Sequence, residues 1–137
     1  LLPTRGNIFL SLNSRHKHHI APMARRLHEL GFDILATPGT ATEVEAQGLP
    51  VTRVKKIAEG SPNLIDYLKN EDVSLIMNTP NGKGARTDEG RIRAAAVQYG
   101  VPCITTIAAA VAAITAMEAL REGELGVQSL QERFAQN

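Results

Sequence analysis

Short apolar runs alternate with helical patterns along the whole chain, and this alternation restricts the fold more than any other feature. Asn7–Leu12, Phe32–Ala36, Val51–Val54, Val73–Met77 and Pro102–Thr105 read as five strands. Between the first two, Ile20, Met23, Ala24, Leu27 and Leu30 fall on one face of a helix over His19–Leu30, which Gly31 stops. Pro22 is expected in the first turn of that helix, so regular helix should begin near His18 or later. Thr40 and Glu43 have capping-box spacing for a short second helix ending at Gly48, and Ser61-Pro62 reads as the cap and first turn of a helix over Asn63–Lys69. Arg91–Tyr99 and Ala108–Arg121 give two more helices, closed by Gly100 and Gly123, with a last helical turn or two at Ser129–Phe134. Strands separated by helices need right-handed crossovers. The expectation is a three-layer, doubly wound, Rossmann-type α/β fold around a five-stranded parallel sheet.

At 137 residues the chain is long enough for one domain, residues 1–137, and too short for two. Hydrophobic residues make up 43% and aromatics only 4%, so the interior should be aliphatic. Fifteen basic residues nearly balance fourteen acidic ones, which argues against a nucleic acid or a membrane surface as partner. No signal peptide or membrane span is visible; the longest weakly polar stretch, Cys103–Leu120, carries Glu118. The single cysteine, Cys103, reads as a small buried core residue in a reducing, cytoplasmic setting. The chain begins at Leu1 without a methionine, which suggests a piece of a longer protein.

In such sheets ligands bind beyond the carboxyl ends of the strands, where strand order reverses. After the first strand come Ser11 and Lys17, after the second Thr37, Gly39 and Thr40, and after the fourth Asn78 and Thr79. Lys56 follows the third strand, and the glycine-rich Asn78–Asp88 stretch is the one long loop. Two cations with several hydroxyls and free amides can cradle a phosphomonoester. The plainer alternative is that Thr40 and Glu43 only cap a helix and that both lysines are solvated. His16, His18 and His19 lack a carboxylate or thiolate at ligand spacing, so no metal site is expected there. Asp66 reads as solvent-facing or a local cap, and Arg86, Asp88, Glu89, Arg91 and Arg93 as a charged helix face or a subunit contact. No residue stands out as catalytic.

The runs Gly6–Ser11 with Lys17, and Ala36-Thr37-Pro38-Gly39-Thr40-Ala41, resemble the methylglyoxal-synthase-like fold. Lys56–Asp66, Ile76-Met77-Asn78-Thr79 and Thr105-Thr106 sharpen this into a resemblance to the C-terminal allosteric domain of the carbamoyl phosphate synthetase large chain, from Gly6 to the end. The resemblance implies strand order 3-2-1-4-5 and a non-catalytic regulatory domain. Its parent would be a cytoplasmic ligase of arginine and pyrimidine biosynthesis that uses ATP with Mg or Mn, draws on a glutaminase small chain and forms an oligomer. It implies UMP and IMP as effectors, with their phosphate held by Ser11, Lys17, Thr37, Gly39, Thr40 and Lys56. Asn78 and Thr79 would face ribose or phosphate, Lys83 would lie near the base, and Thr105 would contribute to an ornithine site. No cofactor or metal is implied within the domain itself.

Pro80 stands where some relatives have Thr, Lys83-Gly84 replaces a pair of arginines, and Pro38 replaces a His. These departures leave the preferred nucleotide open. Among alternatives, a methylglyoxal synthase acting on dihydroxyacetone phosphate needs a carboxylate base. Gly60-Ser61-Pro62-Asn63 and Asn78-Thr79-Pro80 supply none where that enzyme has its acids. A purine-ring cyclohydrolase domain would carry a lysine-containing extension after the third strand, which is missing. A pure assembly module would bind no nucleotide.

Overall fold

Strand β1 (Asn7–Ser11) sits at the centre of the sheet because its three middle residues, Ile8, Phe9 and Leu10, are all buried and need cover on both faces. It pairs in parallel with β2 (Asp33–Ala36) on one side and β4 (Leu75–Asn78) on the other. The edges are two-residue strands, β3 (Thr52–Arg53) beside β2 and β5 (Cys103–Ile104) beside β4. The order β3-β2-β1-β4-β5 is the one expected. The computed structural model describes residues 2–80 and 88–135, with side chains through Glu124.

Helices α1 (Lys17–Glu29), α2 (Pro38–Glu45) and α5 (Ile107–Ala135) cover one face. There Ile20, Met23, Leu27, Val44, Ile114 and Met117 pack on Ile8, Leu10, Ile34, Leu75 and Met77. Helices α3 (Leu64–Lys69) and α4 (Asp88–Tyr99) cover the other, where Leu64, Leu68, Ile92 and Ala96 pack on Phe9, Leu35, Val54 and Ile76. Burying a side chain of this size contributes roughly 1.5–3 kcal/mol, so the alternating residues of β1 serve two cores at once. No helix among the described residues is long and apolar enough to cross a membrane.

Several local expectations are corrected. Helix α1 begins at Lys17, after a 3-10 turn at Ser14–His16, so Pro22 lies in its second turn, on the exposed side. The cap of α3 is Asn63, whose side chain accepts from Ile65 N while Asp66 returns a bond to Asn63 N. Ser61-Pro62 is a cis peptide ahead of it. Asp66 is thus a local cap, and that backbone bond holds its carboxyl below the usual range. Helix α5 runs through Gly123 to Ala135 and absorbs the separate turn expected at Ser129–Phe134. A glycine costs only about 1 kcal/mol inside a helix, and no proline follows to enforce a stop. Cys103 is half-buried on an edge strand, with desolvation pushing its thiol up.

Gly6 enters β1 with φ +112°, and a Cβ there would overlap the Ser74 hydroxyl. That hydroxyl donates to Arg5 O (3.1 Å), which ties the start of β1 to the turn before β4. Gly6→Ala should therefore destabilise the domain by about 1–3 kcal/mol, read as a lower urea midpoint; an unchanged midpoint would show that the turn accommodates a side chain.

Arg26 clamps α1 to α5 through Glu118 (3.1 and 2.5 Å) and Thr115 (3.0 Å). The Arg26 hydrogen bond, helped by its charge, holds the Glu118 carboxyl below the usual range. A carboxyl with a lowered folded-state pKa adds stability above its unfolded value and loses it as pH falls through the folded one. The pair is a third exposed, so Glu118→Gln should cost less than about 1 kcal/mol at neutral pH. That deficit should shrink as the carboxylate range is crossed in acid; melting curves across pH will show whether the two proteins converge.

Candidate functional site

The loops leaving β1, β2 and β4 are joined by side-chain hydroxyls that take the place of further strand pairing. Beyond the end of β1, Leu12 N donates to Thr40 Oγ1 (3.0 Å) and Asn13 N to Thr79 Oγ1 (2.6 Å). The Thr37 hydroxyl donates to Ser11 Oγ (3.1 Å), and Thr79 N to Ser11 O (3.2 Å). Asn13 closes the turn: its amide donates to Pro80 O (3.2 Å) and accepts from Arg15 N (3.0 Å). Thr37, Thr40, Asn13 and Thr79 are all buried, so these bonds are shielded from water.

Thr40 therefore does not begin the capping box expected of it. Helix α2 starts at Pro38 with Thr37 as its N-cap, a proline in the first turn fixing φ there. Thr40 falls inside the helix and faces the β1 loop. The structure also leaves Asn78 in an unusual state. It is 1% exposed, is the register partner of Ser11, and among the described residues neither polar atom of its side-chain amide has a hydrogen-bond partner. Leaving such a group unpaired costs about 1–3 kcal/mol.

Above this floor lies a cavity of about 280 Å³. Of the residues singled out in the sequence, Ser11, Lys17, Thr37, Gly39, Thr40, Lys56 and Thr79 line it together. Lys17 opens α1 and Lys56 precedes a 3-10 turn at Ile57–Glu59; both are exposed, and among the described residues neither carries an ion pair. Asn78 is not in the lining but lies beside Ser11 in the sheet. Thr105 is half-buried past the end of β5 and outside the cavity. Lys83, with Gly84 and Arg86, lies outside the described residues.

Sequence reasoning missed part of the wall. Ser14, Ile20, Ile92 and three carboxylates, Glu43, Asp88 and Glu89, also line the cavity. Asp88 is no solvated face residue: its two oxygens accept from Ile57 N (3.1 Å) and Ala58 N (3.3 Å). An acidic pair in the first turn of a helix was a visible signal, but its target, the turn after β3, is distant in sequence. Glu43 was visible too, three residues after Thr40, where helical spacing brings it to the same side. His16 places Nδ1 3.3 Å from the Thr79 hydroxyl, and among the described residues no group of three His, Cys, Asp or Glu could hold a metal.

Comparison with known proteins places this geometry. The family model for the MGS-like domain matches residues 19–105, more than half of the chain. The chain belongs to the MGS-like domain family. The carbamoyl phosphate synthase large chain of Rhodopirellula baltica is 64% identical over 137 residues, which are all of this chain and 13% of that protein. In Methanocaldococcus jannaschii, the carbamoyl phosphate synthase large chain, C-terminal section, is 48% identical over 96% of this chain and 21% of its own length. This MGS-like domain thus spans a small part of the relatives it matches. Methylglyoxal synthase from Elizabethkingia anophelis NUHP1 shares the fold, with a TM-score of 0.61 at 18% identity over 82% of this chain and 79% of that one.

The role of Thr40 in joining the rim is open to a direct check. Thr40→Val keeps the shape and strips the acceptor from Leu12 N, so unfolding free energy from urea curves should fall by about 1–3 kcal/mol. A variant as stable as the parent would mean that water replaces the hydroxyl without loss.

Proposed function

We propose that this MGS-like domain is the effector-binding module of a glutamine-hydrolysing carbamoyl phosphate synthase large chain, and that its rim cavity takes a nucleoside monophosphate, UMP or IMP. The observation that carries the reading is the convergence on one cavity of Lys17, Lys56 and the hydroxyls of Ser11, Thr37, Thr40 and Thr79. The lysines neutralise a phosphate dianion, the exposed Gly39 lets it approach the backbone, and the α2 N-terminus adds free amides. Asn78, buried and unpaired, would satisfy its amide on the ligand or on a water it orders. In this reading Lys83 lies near the base and Thr105 adds to an ornithine site completed by the rest of the large chain. ATP with Mg or Mn, the glutaminase small chain, oligomer contacts and a cytoplasmic location belong to the parent ligase of pyrimidine and arginine biosynthesis.

The domain itself then performs no chemistry. Its ligand acts by changing how the rim packs on the parent enzyme, a coupling typically of about 1–3 kcal/mol. The carboxylates in the cavity favour one competing reading, a lyase acting on dihydroxyacetone phosphate, since proton abstraction beside a carbonyl needs such a base. Asp88, each of whose oxygens already accepts from a backbone amide, is held to the turn after β3, which leaves Glu43 as the carboxylate that such a reaction would have to use. Assaying the purified domain for methylglyoxal release from that substrate separates the two, with no release expected.

Calorimetric titration should show one molecule of UMP or IMP binding per chain. Lys17→Ala should weaken it about tenfold or more, since a charge-assisted bond to phosphate contributes about 1.5–3 kcal/mol, while the melting temperature without ligand stays put. Undiminished binding by the variant would sink the assignment.

A further inference from the structure

The cavity is of mixed sign, and its acidic residues are not equivalent. Asp88 is held by two backbone amides, and Glu89 is engaged as well. Glu43 differs: it is half-buried in the wall, and among the described residues nothing donates to its carboxylate. Its position follows from α2. Gly39 and Thr40 line the cavity, and residues three and four positions later in a helix return to the same side, which places Glu43 one turn beyond the phosphate-holding end.

An ionised carboxylate only accepts hydrogen bonds. Beside a phosphate it repels the ligand unless the ligand itself presents O–H or N–H donors at that point. A vicinal diol presents two hydroxyls to two carboxylate oxygens, the means by which an acidic residue reads ribose in dinucleotide-binding folds. We propose that Glu43 is the specificity-determining residue of this cavity: it accepts from the hydroxyls of a sugar attached to the phosphate and disfavours ligands that bring only further negative charge. The inference rests on the phosphate-binding reading above and adds the identity of the group that reads the sugar. Lys17 and Lys56 supply attraction to any phosphate, and Glu43 converts it into a preference for phosphate esters of polyols.

The experiment is calorimetry on the chain and on Glu43→Gln and Glu43→Ala, with three probes: uridine 5′-monophosphate, its 2′,3′-dideoxy analogue, and inorganic phosphate. The parent chain should prefer the ribonucleotide over the dideoxy analogue by about tenfold to a hundredfold, the range for a hydrogen bond to a charged group. Both variants should lose most of that preference, and both should bind inorganic phosphate several-fold more tightly. If the preference survives in both variants, or if the parent chain binds both nucleotides equally, Glu43 does not read the sugar, although the phosphate reading stands. If the parent chain binds none of the probes, the phosphate reading fails and takes this inference with it.

Discussion

Everything at the rim depends on β1 pairing in parallel with two later strands, β2 on one side and β4 on the other. From β1 the chain passes through α1 on one face to β2, and it reaches β4 from β3 through α3 on the opposite face, so the loops at the carboxyl ends of β1, β2 and β4 splay and leave a crevice. Ser11 is the last residue of β1 in register, opposite Asn78. The next two amides, Leu12 N and Asn13 N, project past the sheet, and the chain supplies their acceptors from Thr40 and Thr79. Hydroxyl side chains thus stand in for backbone carbonyls where strands have run out. The loops on either side of the switch point are fixed to each other by the same residues that line the cavity.

This arrangement divides the site into a rigid part and an adaptable part. Thr37, Thr40 and Thr79 are buried and already bonded, so a ligand meets their positions preset and loses little entropy in ordering them. Lys17 and Lys56 are exposed on long side chains, and their attraction works over the distance that salt permits, about 8–10 Å at ordinary ionic strength. Shape is set by the threonines and the pull comes from the lysines. On the effector-binding reading, such a division suits a site that senses a small anion and releases it unchanged.

How much of this was legible in the sequence follows from the range of each interaction. The strands, the layers and the loops that bring Ser11, Lys17, Thr37, Gly39, Thr40, Lys56 and Thr79 to one cavity were readable, because apolar periodicity and the loops after strands are local signals, whereas the strand order came from the family resemblance. What Thr40 does was not readable: its capping spacing with Glu43 is local, whereas its partner Leu12 lies 28 residues away. Asp88 looked like one more charge on a solvated helix, since its partners at Ile57 and Ala58 lie about thirty residues upstream. The start of α1 and the far end of α5 were missed for a different reason. Proline and glycine shift helix energetics by amounts that neighbouring turns easily offset.

The Asp88 contact also bears on how occupancy of the rim could be felt elsewhere. Lys56 stands immediately before the two amides that Asp88 holds, and Asp88 opens α4. A ligand that draws Lys56 toward its phosphate therefore loads a turn bolted to the start of a helix on the opposite face from α1 and α2. Helix α4 in turn seats Ile92 in the cavity wall and Ala96 against the core of the sheet, and it leaves Val97 83% exposed on its outer side. Two hydrogen bonds thus join the turn after β3 and the start of α4 into one contiguous packed unit. On the regulatory reading, that unit connects the cavity to a surface where a parent enzyme can sense whether the cavity is filled. No bond in the ligand needs to break for the message to pass.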